Sequence, residues 1–154
     1  MKNNGPVTGK ESRFPDHYRL ISSTDLKGVI RHCNDDFVNI SGYTRDELIG
    51  SPHNLLRHPD MPGSVFEHMW KTIKRGKPWM GLVKNRCKNG DHYWVSAYVT
   101  PIMENDKPVG FESVRVATSD ELKQRAQGVY DRLNAGKHAI PFGKRVWLGC
   151  KDLI

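Results

Sequence analysis

The feature that most constrains this chain is a run of three strand-length segments, residues 79–88, 92–102 and 109–117. They are joined by Asn89-Gly90-Asp91 and by a short stretch around Glu104-Asn105-Asp106-Lys107. A parallel crossover needs a dozen or more residues, so segments this close must pair antiparallel as a meander. Two shorter strand candidates, 19–23 and 28–32, flank the turn Thr24-Asp25-Leu26-Lys27-Gly28 and bring the count to five.

The intervening stretch reads as short helices. Asn34 opens one through Ile40, which Gly42 stops, and Thr44-Arg45-Asp46-Glu47 fits a capping box whose helix is barely a turn long before Gly50 and Pro52. A longer helix is expected over 62–75, with Val65, Phe66, Met69 and Ile73 on one stripe and Lys71, Lys74 and Arg75 in its last turn, where cations suit the dipole. These elements read as α+β, an antiparallel meander within a sheet that has one elaborated face. After the last strand, Thr118-Ser119-Asp120-Glu121 reads as a second capping box. Its helix carries Leu122, Ala126, Val129, Tyr130 and Leu133 on one stripe and is expected to project beyond the sheet. That stripe could meet the outer sheet face, a second copy of the domain in a homodimer, or a downstream segment.

Period 2 assigns faces to the meander. Lys84, Arg86 and Lys88 share one parity, expected to be wet, which turns Trp79, Val83, Asn85 and Cys87 inward; on the next strand Tyr93, Val95, Ala97 and Val99 form the more apolar set. A two-residue turn at Asn89-Gly90 would set Asn85 opposite Trp94. A three-residue loop that includes Asp91 sets it opposite Val95 and keeps both inner sets on one face, so that loop is expected, with a bulge. Asn85 is then an amide on an apolar face. An unpaired buried amide costs about 1–3 kcal/mol, so it needs a partner inside, from the protein or from a ligand.

Charge and composition limit the function classes. The net charge of +7 raises nucleic acid or an anionic membrane as partners, but the basic residues are dispersed and no nucleic-acid function is expected. No stretch reaches the roughly 18 apolar residues of a membrane span, and residues 1–10 lack a signal-peptide core, so no transmembrane segment is expected and the cytoplasm is the default. Three scattered cysteines suit a reducing compartment and offer no thiolate metal framework. Among seven histidines no metal-ligand spacing occurs, and neither a nucleophile elbow nor a phosphate loop is present, so neither a metal site nor an enzyme is expected.

Several motifs in combination resemble the PAS domain over residues 19–117: Asn34-Asp35-Asp36-Phe37-Val38, Ser41-Gly42-Tyr43-Thr44, Glu47-Leu48-Ile49-Gly50, and the 79–88 strand with Asn89-Gly90. Pro52-His53-Asn54, Arg57-His58-Pro59-Asp60-Met61-Pro62, Met69-Trp70, Pro78-Trp79 and Lys84-Asn85-Arg86 further resemble the flavin-binding PAS domains of bacterial aerotaxis receptors. The resemblance implies the PAS fold, a five-stranded antiparallel sheet with short helices and one longer helix over one face, with FAD held between them. It also implies a cytoplasmic redox or oxygen-related sensor whose partners are downstream receptor signalling domains, in a protein that could be anchored to the inner membrane. On that reading residues 1–18 are an N-terminal arm or cap, 19–117 the sensor, 118–136 a connector helix, and 137–154 a linker toward a downstream region.

The same resemblance implies cofactor contacts at His53, Arg57, His58, Asp60, Trp79, Asn85 and Arg115. Asn85 matches an asparagine aimed at the flavin ring edge, and Arg115 stands where relatives carry a ring-contacting glutamine. Residues alone leave Trp79 open between plain core and a ring contact, and leave Asp60 open between a helix cap and a site residue. Two departures from the light-sensing branch matter. No cysteine occurs in residues 50–57, so no covalent photoadduct is expected, and Val95 replaces a second ring-contacting asparagine. A haem- or small-ligand-binding PAS module is the alternative, with His68 as the axial candidate.

Overall fold

The computed structural model describes residues 5–136. The expected linker at 137–154 and Cys150 lie outside the described residues. The order of elements is β1 (Leu20–Thr24), β2 (Ile30–Cys33), α1 (Asp35–Ser41), α2 (Arg45–Leu48), a 3-10 turn (His53–Leu56), α3 (Gly63–Lys74), β3 (Trp79–Arg86), β4 (His92–Glu104), β5 (Lys107–Val116) and α4 (Asp120–Asn134). The five strands form one sheet in the order β2-β1-β5-β4-β3, with every pairing antiparallel. The expected α+β architecture is what the chain adopts.

Local chemistry explains most of the boundaries. The Asn34 side chain caps α1 by accepting from the Phe37 N–H at 3.2 Å, and it also ties the helix to β1 by accepting from the Ile21 N–H at 3.0 Å. Both halves of the Thr44–Glu47 box are formed. At α4 the cap falls one residue later than expected. Ser119, not Thr118, accepts from the Leu122 N–H at 3.3 Å. The β4–β5 turn is shorter than read from sequence: Glu104 pairs with Lys107, and Asn105 and Asp106 both take positive φ (50° and 62°), the geometry of a two-residue hairpin turn that suits Asn and Asp. β5 consequently begins two residues earlier than expected.

The β3–β4 register corrects one expectation. Asn85 stands opposite Tyr93, not Val95. The loop does have three residues, but they are Lys88, Asn89 and Gly90, since the Cys87 N–H donates to the Asp91 carbonyl at 2.8 Å and the Gly90 N–H to the Cys87 carbonyl at 3.0 Å. Gly90 supplies the left-handed residue at φ 96°. Odd residues still face odd residues, so the expected inner parity survives the change of partner.

The outer face of β3 is not wet. Lys84 is 7% exposed and Arg86 4%, alongside Leu82 and Trp94. Two elements cover them. α4 packs across the sheet instead of projecting from it: Tyr130 stacks on Trp94 with centroids 6.4 Å apart, and its hydroxyl donates to the Leu82 carbonyl at 2.6 Å. The N-terminal arm crosses the β3–β4 end, where the Thr8 N–H donates to the Gly90 carbonyl and the Ser12 N–H to the His92 carbonyl. The sheet is therefore sandwiched, with α1 to α3 on the inner face and α4 on the outer.

A candidate ligand-binding cavity

Between the inner face of the sheet and α3 lies a cavity of about 310 Å³. Its floor is the odd parity of the meander (Trp79, Val83, Asn85, Ala97, Val99, Phe111, Ser113, Arg115) together with Ser22 and Thr24 of β1. The expected α3 stripe supplies Phe66, Met69 and Ile73 opposite. His53, Asn54, Arg57, Lys27 and Gly28 close one side. A mostly apolar chamber with a few convergent polar groups is the ordinary form of a small-ligand site.

The polar end is built around Arg115, which is 2% exposed. Its guanidinium donates to the Ser22 hydroxyl at 2.5 Å, to the Leu20 carbonyl at 3.3 Å and to His53 Nε2 at 3.1 Å, and it lies 4.5 Å from the Phe37 ring centroid. Burial pulls its pKa down to about 10. Burial, reinforced by the Arg115 charge, pushes His53 down to about 3, so the imidazole is neutral and accepts at Nε2. Ser22 completes this corner. Sequence reasoning missed it, although Leu20 and Ser22 alternate with exposed Ile21, a parity signal that was available.

Asn85 reaches the lining from β3 and is 5% exposed, and its backbone bridges to Arg57. Opposite it, Tyr93 is fully buried, and burial drives its hydroxyl well above the ordinary tyrosine value, with the Asn85 amide acting the other way. Arg57 lies over the Phe66 ring at 4.0 Å, and its Nε is buried without a hydrogen-bond partner. Trp79 lines the floor because residue 81 is glycine: a Cβ there would fall 2.5 Å from the indole.

Two expected site residues stand apart from the cavity. His58 is buried, accepts from the Asp60 N–H at Nδ1 (3.0 Å) and meets His92 edge to face at 5.8 Å. Asp60 does not cap α3, whose N-cap is Pro62; its carboxylate pairs with Lys84 Nζ at 2.8 Å on the other side of β3. His68 is also outside the lining, bonded to Thr72 on its own helix. Among the described residues no group of histidine, cysteine and carboxylate side chains could hold a metal ion, and no helix is long and apolar enough to cross a membrane.

A family model described as PAS fold matches residues 30–115. The aerotaxis receptor of Escherichia coli (strain K12) is 45% identical over 97% of this chain, which spans 30% of that protein. A solved PAS domain from Colwellia psychrerythraea superimposes with TM-score 0.55 at 28% identity, covering 66% of this chain and 88% of that one. A light-oxygen-voltage domain solved in work on a flavin analogue gives TM-score 0.65 at 17% identity, covering 74% of this chain and 87% of that one, a likeness of fold.

Proposed function

Because the chain belongs to the PAS-fold family, we propose that it is the FAD-binding sensor module of an aerotaxis or redox-sensing receptor, cytoplasmic and without enzymatic activity of its own. The observation that carries this reading is the buried Arg115 guanidinium at the polar end of an apolar cavity, where no carboxylate bonds to it among the described residues. A buried cation without a counter-ion is costly unless an electron-rich group shares its charge, and the edge of a flavin ring is such a group. The similarity to an aerotaxis receptor supports the choice of flavin and of receptor.

The residues present fit the group. His53, Asn85 and Arg115 would hold the polar edge of the ring, Trp79 and Phe66 its faces, and Arg57, whose buried Nε lacks an acceptor, a phosphate of the remainder. His58 and Asp60 act one step removed, by fixing the backbone that carries Arg57. The haem alternative loses its axial candidate, since His68 stands outside the lining.

FAD when bound supplies a redox centre whose charge and hydrogen-bonding pattern depend on its oxidation state. The protein supplies the response. Arg115 sits on β5 but donates to Leu20 and Ser22 of β1, so any change in what the guanidinium faces alters the bonds joining those two strands. Asn85 carries both a donor and an acceptor at the lining and can reverse its role by rotating its amide. The neutral His53 offers a lone pair to Arg115, and Met69, Ile73, Val99 and Phe111 exclude water around these groups. Partners are the downstream signalling domains of the receptor, which would read this rearrangement.

An absorption spectrum of the purified chain tests the reading. Flavin bands are expected, with heat-released cofactor co-migrating with FAD. A Soret band, or a colourless protein that ignores added FAD, overturns it.

A further inference from the structure

We propose that Lys84 is a positioning residue which clamps the Arg57-bearing wall of the cavity to α4, so that closure of the cavity and docking of α4 are one coupled event. The inference extends the flavin reading, since it names how the state of that same cavity reaches the opposite face of the sheet.

Lys84 sits between Val83 and Asn85, both of which line the cavity, and strand alternation turns its own side chain to the outer face. There it is almost fully buried, with Nζ donating to Asp60 Oδ2 at 2.8 Å and to Gln127 Oε1 of α4 at 3.1 Å. The segment 57–61 runs along the free edge of β3. Arg57 bridges to Asn85 through the backbone, and the Lys84 N–H donates to Met61 Sδ at 3.4 Å. α4 grips the same segment directly, because Asn134 Nδ2 donates to the Asp60 carbonyl at 2.6 Å.

Asp60 is thus held through its carboxylate by Lys84 and through its backbone by α4, and it lies three residues from Arg57. Lifting α4 removes Gln127 and Asn134 together and opens the Lys84–Asp60 pair to water. The ion pair, now screened, weakens and the Arg57 segment loses its anchor. By linkage, a ligand that fixes Arg57 must stabilise the docked helix by the same factor that docking contributes to ligand retention.

Amide hydrogen exchange on the ligand-free chain tests the clamp without reference to flavin. Lys84→Met is expected to accelerate exchange about tenfold in both 57–61 and 120–134, with β1, β4 and β5 unchanged, and Lys84→Arg is expected to restore both. Acceleration in only one of the two segments, or in neither, overturns the proposal. A second arm uses FAD itself: Lys84→Met should speed its dissociation about tenfold, and Lys84→Arg should recover most of that. Unchanged dissociation in Lys84→Met also overturns the clamp. A wild-type chain that takes up no FAD defeats the flavin reading, while the ligand-free exchange still decides the clamp.

Discussion

Arg115 Nη1 lies 3.1 Å from His53 Nε2, a buried cation leaning on an imidazole that burial keeps neutral. Two such groups would repel if both were charged, so the pair is stable only while the histidine stays unprotonated. The arrangement leaves the positive charge of Arg115 without a bonded counter-charge among the described residues, available to whatever occupies the cavity.

Arg115→Gln should therefore separate stability from binding. The loss of bonds to Ser22 and Leu20 is offset by removal of a buried charge, so the ligand-free chain should change by no more than about 1 kcal/mol in urea unfolding. FAD affinity should fall at least tenfold by titration. A large loss of stability with unaltered affinity would make Arg115 structural only.

Acid should unfold the protein through its histidines. His53 and His58 lie at about 3 and about 4, both depressed from 6.5, chiefly by burial. Above pH 6.5 the rings are neutral in folded and unfolded chains and contribute nothing to the pH dependence. As the pH falls, the unfolded chain takes up protons that the folded chain refuses, so stability drops from pH 6.5 down to about 4 for His58 and further for His53. Each unit of depression corresponds to about 1.4 kcal/mol, so thermal melts should show a loss of a few kcal/mol between pH 7 and pH 4.5. His58→Gln should flatten that slope, and an unchanged slope would assign the acid sensitivity elsewhere.

Gly81→Ala should damage the cavity more than the sheet. The added Cβ would meet the Trp79 ring at 2.5 Å, so the indole must leave the floor, at an overpacking cost of about 1–3 kcal/mol. Flavin absorbance should shift or weaken, whereas far-ultraviolet circular dichroism should keep its strand signature.

The inner half of this molecule was legible because its signals are local. Asn34 and the Thr44–Glu47 box cap where their side-chain chemistry demands, the α3 stripe points Phe66, Met69 and Ile73 at one chamber, and period 2 places Trp79 and Asn85 on its floor, whereas Arg115 was reached only through the family resemblance. The outer half was misread because burial there is a tertiary property. Lys84 and Arg86 look like solvated positions in any strand, and only the packing of α4 and the N-terminal arm, far away in sequence, makes them interior. Asp60 shows the same difficulty: before a Pro-led helix it reads as a cap, yet its partner is Lys84 on β3. The register of Asn85 turned on whether Asp91 belongs to loop or strand, which composition does not decide.

Blue light should produce no cysteinyl adduct with bound flavin. Cys33 and Cys87 are both outside the cavity lining, and Cys87 donates to the Ile40 carbonyl at 3.3 Å with its thiol pushed up to about 11, chiefly by burial. Flavin absorbance should persist under illumination, without the bleach to a single near-ultraviolet band that an adduct gives. A reversible bleach abolished by Cys87→Ala would show that this thiol reaches the ring.

Tyr130→Phe should loosen α4, and through Lys84 and Asn134 the 57–61 segment, while leaving the strands paired. The hydroxyl donates to the Leu82 carbonyl at 2.6 Å on a nearly dry face, and its removal leaves that edge-strand acceptor short of a partner while the ring stays stacked on Trp94. The cost should be about 1–2 kcal/mol in global unfolding. Because β3 is the edge of the sheet and α4 is one of the elements covering its outer face, the loss should appear as faster proteolysis within 120–134 before the strands are attacked. Uniform cleavage of α4 and sheet together would mean that the helix does not open independently, and that Tyr130 acts on the domain as a whole.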